Sequence, residues 1–255
     1  MTRVIKVGGR PQVDPALIVA LASAQQRMPG SLVVVHGGGD EVSALQQLHG
    51  APSEFKGGRR VTNRLDLEII RMALSGSANK RLVSALVAAG APALGLSGED
   101  AGLMLATPLD PEQFGFVGVP ASVNAPLLRY LLDGGYLPVL SPVSGCTNPA
   151  EGLTLNVNGD DAAAAIAVAL EAEELLLVSD VPGVLRGGVA LSTLTGDDAR
   201  RLVDDGTAAG GMAAKLQAAL AALEGGVERV RISDIAAIEN RERGTMLTRV
   251  GSVCT

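Results

Sequence analysis

Short apolar runs and amphipathic stretches alternate along almost the whole chain. Arg3 to Val7 reads as an apolar strand closing on Lys6, Val7, Gly8 and Gly9. Pro15 to Gln26 carries helical apolar spacing, with Asp14 placed to cap it and Pro15 at its first position. Leu32 to His36 is a β-branched run that stops at Gly37, Gly38 and Gly39, the pattern of a strand buried on both faces with a loop at its carboxyl end. Helical spacing resumes at Asp40 and passes through Val42, Leu45 and Leu48. The chain therefore begins β-α-β-α.

Phe55 to Thr62 predicts a compact basic hairpin, followed by helices over Leu65 to Ser75 and Ala78 to Ala89 and a strand over Ala93 to Leu96. Apolar density falls between Ser97 and Val119, which predicts a small antiparallel excursion from the main sheet and not a domain boundary. A helix over Ala125 to Leu132 precedes a strand over Leu137 to Leu140, and Pro138 and Pro142 place that strand at or near an edge. Leu153 to Asp161 leads into an alanine-rich helix ending at Leu170, then a buried strand over Glu174 to Val178. A polar helix over Asp197 to Asp205, a helix from Gly210 to Leu223, and strands over Arg229 to Ile232 and Thr245 to Val250 complete the pattern. Such alternation predicts an α/β fold, a three-layer α/β/α sandwich with a mainly parallel central sheet.

Composition narrows the function. Of 255 residues, 47% are hydrophobic but only 2% aromatic, with no tryptophan, so the core must be aliphatic and closely packed through small residues. The formal charge of −6 argues against nucleic acid or an anionic membrane as partner. No apolar run approaches the length of a membrane span, and Cys146 and Cys254 are too far apart in the sequence to suggest a disulfide framework or a zinc site. A cytoplasmic protein with no structural metal is expected.

Several stretches suit an anionic ligand. Gly37, Gly38 and Gly39 lack a Cβ, so their amides can approach phosphate or carboxylate closely, although a tight turn without ligand would look the same. Lys6 at a strand end supplies a point charge beside the Gly8 and Gly9 amides, or is a solvated lysine. Arg59 and Arg60 concentrate charge in the hairpin, and an arginine fork matches a carboxylate bidentately. Asn156, Asn158 and Asp160 alternate towards a helix start, where capping explains one of them well and all three poorly. Lys215 follows Gly210 and Gly211 near a helix N-terminus, against the dipole preference, a conflict that a nearby anion resolves. A nicotinamide-binding reading is disfavoured, because no Gly-x-Gly-x-x-Gly follows the first strand.

Taken in order, Lys6-Val-Gly-Gly, Val35-His-Gly-Gly-Gly, Arg60-Val-Thr, Gly95-Leu-Ser-Gly, Gly135-Tyr-Leu-Pro-Val, Asn156-Val-Asn-Gly-Asp, Ser179-Asp-Val-Pro-Gly and Gly211-Met-Ala-Ala-Lys resemble the amino-acid kinase family, and within it the acetylglutamate kinase branch. The resemblance spans nearly the whole chain. It implies a single carbamate kinase-like domain whose N-terminal lobe, 1–150, holds an acylated amino acid and whose C-terminal lobe, 151–255, holds ATP with Mg²⁺. By matched position, Lys6 and Lys215 would neutralise the transferred phosphoryl group and Asp160 would orient both lysines. Gly37, Gly38, Gly39, Arg60, Asn156 and Asn158 would bind the acid, with Arg60 on its α-carboxylate and Asn156 on the acylated amino group. Gly8, Gly9, Ser179, Asp180, Gly183, Gly211 and Met212 would join the two lysines around the nucleotide.

The implied reaction is phosphorylation of the γ-carboxylate of N-acetyl-L-glutamate, a step of arginine biosynthesis. Arg10 and Arg59 keep open a kinase acting on acylated or carrier-linked aminoadipate in lysine biosynthesis, and a non-catalytic amino-acid-binding regulatory module is the other alternative. Family departures include Gly159 where alanine is frequent, Ala213 and Ala214 in place of isoleucine and proline, and a shorter loop after Gly183. The short stretch before the first strand leads to the expectation of a homodimer without strong arginine feedback.

Overall fold

The computed structural model describes residues 1–8, 14–148 and 153–249. The order is β1 (Arg3–Val7), α1 (Pro15–Arg27), β2 (Leu32–His36), α2 (Gly39–Leu48) and a hairpin of β3 (Phe55–Lys56) and β4 (Arg59–Arg60). Next come α3 (Arg64–Ile70), α4 (Asn79–Ala88), β5 (Ala93–Ser97), β6 (Met104–Pro108), α5 (Pro111–Phe114), β7 (Val117–Val123), α6 (Ala125–Asp133), β8 (Leu137–Ser141) and β9 (Val143–Cys146). The remainder is β10 (Thr154–Val157), α7 (Gly159–Ala169), β11 (Glu174–Val178), β12 (Leu185–Arg186), β13 (Val189–Ala190), β14 (Thr193–Thr195), α8 (Gly196–Asp204), α9 (Gly210–Glu224), β15 (Arg229–Ser233) and β16 (Thr245–Thr248).

Eight strands form the central sheet in the order β14-β16-β15-β11-β1-β2-β8-β5. Every neighbouring pair is parallel except β15 with β16. All residues of β1, β2 and β11 are buried, as unbroken apolar runs require when helices cover both faces. Alternate residues feed two cores: Val4, Val33, Val35, Leu175 and Leu177 pack towards α6, α7 and α9, and Ile5, Val34, Leu176 and Val178 towards α1 and α4. The expected three-layer sandwich is thus present. Alanines fill the inner faces of α7 and α9, which lets both helices lie close to the sheet.

Asp14 caps α1 by accepting from the Ala16 amide at 2.8 Å, with Pro15 in the first turn. Pro138 sits in β8, one strand inside the β5 edge, paired in register with Leu94. Gly9, Arg10, Val250 and Cys254 lie outside the described residues, and Cys146 is a buried free thiol. Among the described residues no helix is long and apolar enough to cross a membrane.

Two expectations need correction. The helices expected to be separated at Gly76 are one continuous helical run, because α3 and α4 are joined by a π-helical segment, Arg71–Ala78. Burial of Ala73, Leu74 and Ala78 and a Ser75–Ser141 hydroxyl hydrogen bond of 2.7 Å outweigh the roughly 1 kcal/mol helix penalty of glycine. The expected small antiparallel excursion is part of a larger, mixed element, since the antiparallel β6 and β7 recruit β9 and β10, through parallel β6–β9 and β7–β10 pairs, into a closed four-stranded barrel. Its closing pairs are non-local, and they place Asn156 opposite Val117 and Val143.

Candidate active site

Lys6 is the fourth residue of β1 and shares the Val4 face, which looks towards α7 and α9. Its ammonium lies 2.9 Å from Asp160 Oδ1, and Lys215 Nζ approaches Asp160 Oδ2 at 3.4 Å from the second turn of α9. Asp160 is held by its own helix start: Asn158 is the N-cap of α7, and its side-chain oxygen accepts from the Asp160 amide at 2.8 Å. All three charged groups are nearly buried. Burial pushes the Asp160 carboxyl upward, but the charges of Lys6 and Lys215 outweigh it and hold the group below the usual carboxylate range. Burial and the neighbouring Lys6 charge lower Lys215, with Asp160 opposing them. Two ammonium groups around one carboxylate leave the floor of the site net positive.

Above this floor lies a cavity of 390 Å³ lined by Lys6, Gly37, Gly38, Gly39, Arg60, Asn156, Asn158 and Asp160, with Val42, Ile70 and Leu74 on its apolar side. Gly38 adopts φ +151°, and a Cβ there would meet Leu74 Cδ2 at 2.7 Å, so only glycine fits. The next residue opens α2, whose first-turn amides have no intrahelical acceptor. Arg60 donates to Gln46 Oε1, to Ser53 Oγ at 2.5 Å, and to the Gly39 carbonyl and Ser43 Oγ at 3.0 Å each, and it stacks 4.6 Å over the Phe55 ring. All these acceptors are uncharged. The guanidinium therefore has no hydrogen-bonded counter-ion among the described residues; burial lowers its pKa, and the nearby charges of Asp66 and Asp40 oppose that. Asn156 donates to Thr62 Oγ1 at 3.0 Å, which ties the barrel to the end of the hairpin.

The other expected residues are less concentrated. Gly8 directly follows β1, and Gly211 and Met212 lie in the first turn of α9, ahead of Lys215. Ser179 and Asp180 follow β11 and line a separate hollow of 830 Å³ with Asp14, Asp234 and Ile235. Gly183 is outside both cavities and packs on Thr245, whose Oγ1 would lie 2.6 Å from an added Cβ. Gly159 is tight for a similar reason, because a Cβ there would come within 3.2 Å of Lys6 Cε. Among the described residues no group of three or more histidine, cysteine or acidic side chains is placed to hold a metal.

The family model described as the amino acid kinase family matches residues 1–234. The chain belongs to the amino acid kinase family. Among its relatives, the acetylglutamate kinase of Geobacillus stearothermophilus is 42% identical over 233 residues, covering 91% of this chain and 89% of that protein. The solved structure of smu.665 from Streptococcus mutans superposes with a TM-score of 0.86 at 29% identity, covering 97% of this chain and 98% of that one. Giardia carbamate kinase shares the fold, with a TM-score of 0.73 at 16% identity and coverage of 97% and 98%.

In this amino acid kinase, sequence reasoning missed the support behind the glycine loop. Asn79 is fully buried and donates to His36 Nε2 at 3.0 Å and to the Val139 carbonyl at 2.9 Å. His36 Nε2 must then be the acceptor, which leaves Nδ1 to donate to the Gly37 carbonyl at 2.8 Å. Burial lowers the His36 pKa to about 4, in keeping with this neutral ring. The available signal was Asn79 on the same helical face as Leu82 and Leu86, an uncapped polar residue among core positions. Arg59 also differs from expectation. It pairs with Asp161 at 2.6 Å, so its charge is already met inside the protein.

Proposed function

We propose that this chain transfers the γ-phosphoryl group of ATP to the γ-carboxylate of N-acetyl-L-glutamate, forming an acyl phosphate in arginine biosynthesis. The observation that carries the reading is the Lys6–Asp160–Lys215 cluster beneath a cavity that also presents a glycine loop and Arg60. A side-chain carboxylate with a reference pKa of about 4.3 is already an ionised nucleophile at neutral pH and needs no general base. His36 is buried, neutral and fully engaged, so it is free of that role. The barrier is the meeting of two anions, and positioning plus positive charge lowers it.

In this reading the N-terminal lobe, 1–150, binds the acid and the C-terminal lobe, 151–255, the nucleotide. Arg60, whose hydrogen-bond acceptors in the protein are all uncharged, takes the α-carboxylate. Asn156 and Asn158 flank the acylated amino group, and the Gly37–Gly39 amides receive the reacting oxygens. Lys6 and Lys215, oriented by Asp160, face the transferring phosphoryl group from two sides. Ser179, Asp180, Gly183, Gly211 and Met212 are assigned to the nucleotide side with Gly8 and Gly9. Mg²⁺ commonly enters on nucleotide phosphates with only one or two protein carboxylates. Bound there, it would neutralise charge on the phosphates.

Arg59 gives the aminoadipate alternative no support, because its charge is taken by Asp161. The regulatory-module alternative would require loss of the lysines or Asp160, and all three are assembled. A cytoplasmic homodimer belongs to the same proposal. β5 leaves one edge of the sheet open for a second subunit, and light scattering should return the mass of two chains. The deciding experiment is hydroxylamine trapping of the acyl phosphate with MgATP and N-acetyl-L-glutamate, N-acetyl-L-aminoadipate, N-succinyl-L-glutamate or glutamate. Preference for N-acetylglutamate is expected; preference for another acid, or no product at all, overturns the assignment.

A further inference from the structure

Successive residues of an extended strand point to opposite sides, and both residues of β4 are arginines. Arg60 is moored to α2 through Gln46, Ser43 and the Gly39 carbonyl. Arg59 is held on the other side, with its Nη1 2.6 Å from Asp161 Oδ2 and the two side chains only 22% and 15% exposed. Asp161 directly follows Asp160 in the first turn of α7. One helix start therefore grips the two lysines with one carboxylate and the hairpin with the next. The hairpin tip also rests on α9, since a Cβ on Gly58 would lie 3.3 Å from the Gly210 carbonyl oxygen. Two strands of two residues, with Phe55 and Lys56 exposed, cannot fix their own position. Where the hairpin sits depends on its anchors.

We infer that the Arg59–Asp161 ion pair is a positioning element for acid binding, fixing β4 and hence Arg60 relative to Asp160 without touching the phosphoryl group. The kinetic form of this inference rests on the kinase function proposed above. Burial pushes the Asp161 carboxyl upward, with the Arg59 charge as the leading opposing influence. Neither residue is needed for phosphoryl chemistry. Its loss therefore acts on affinity for the acid.

The test compares wild type, Arg59→Leu, Asp161→Asn and the double variant, with KM measured separately for the acid and for ATP. Each single change should raise KM for the acid about tenfold, as expected for a largely buried pair, while KM for ATP and kcat stay within about twofold. The double variant should be no worse than either single one, and Arg59→Lys should recover most of the loss. Amide hydrogen exchange over residues 54–62, measured without substrate, should accelerate in both single variants. An unchanged KM for the acid, unchanged exchange, or effects that multiply in the double variant would overturn the inference. So would parallel rises in both KM values with a lowered melting temperature, the mark of a merely structural pair. If wild-type protein phosphorylates none of the acids, the kinase proposal falls, and hydrogen exchange alone still decides whether the pair holds the hairpin.

Discussion

Lys6 and Lys215 share a single carboxylate, which has a consequence for mutation. Removing Lys6 does not strand Asp160, because Lys215 remains 3.4 Å away. Lys6→Ala should therefore lower kcat by about 10²- to 10³-fold, the scale seen when one transition-state donor is removed, while the melting temperature holds within a few degrees. Acyl-phosphate trapping and a thermal melt on the same sample check both halves; an active variant would sink the assigned role. His36 predicts a pH effect of definite sign. Its pKa is about 4 folded against an ordinary 6.5, so the unfolded chain binds the extra proton between those values. Its contribution is complete above pH 6.5 and is lost as the pH falls towards 4, by roughly 3 kcal/mol in all. Glu41 favours the charged ring, while Lys6 and Arg81 oppose it. Urea unfolding of wild type and His36→Gln across this range should give a shallower pH slope for the variant.

At the scale of elements, the candidate site is made where the ends of β1, β2 and β10, the starts of α2, α7 and α9 and one hairpin converge. Gly38 has to be glycine for its φ of +151°, a backbone conformation that side-chain-bearing residues rarely adopt. Gly38→Ala should cost about 1–3 kcal/mol by backbone strain and push the Leu74 side chain aside. Denaturant midpoints and the KM for the acid should both worsen, and a variant with wild-type values for both would contradict this account. Most of these elements were readable in advance because each has a local cause: an apolar run for β2, Asp14 and Pro15 for α1, a compact basic stretch around Gly57 and Gly58 for the hairpin. The continuity of α3 and α4 was not. Ser75 and Gly76 look like a break until Ser141, from β8, supplies the hydrogen bond that favours the helix.

Across the whole molecule, the two proposed lobes are not independent bodies. β1, from the N-terminal half, lies between β2 and β11, and β11 comes from the C-terminal half. At the opposite end of these strands from the cavity, Glu174 is fully buried and receives Arg3 and Arg231 at 2.6 Å each. Arg231 also donates to the Ala237 and Arg243 carbonyls, so the network ties the 235–243 segment to the sheet. Glu174→Gln should destabilise the protein by about 3–5 kcal/mol, because Arg231 would keep a buried charge without its counter-ion. Wild type and variant should each unfold in one transition seen alike by calorimetry and circular dichroism. Two separated transitions would show that the halves fold apart.

The sequence by itself determined the three-layer α/β architecture, the order of most strands and helices, and the charged or glycine-rich character of the Lys6, Gly37–Gly39 and Asp160 segments. Those features follow from local periodicity, capping and glycine, which neighbouring residues decide. The resemblance already implied that Lys6 and Lys215 meet at Asp160, but only the tertiary structure decided that Arg59 is spent on Asp161 while Arg60 hydrogen-bonds uncharged acceptors, and that Asn79 and His36 brace the glycine loop. Each of these depends on strands and helices distant in the chain being brought together by the burial of apolar faces, and a local pattern carries no information about which partner burial will bring.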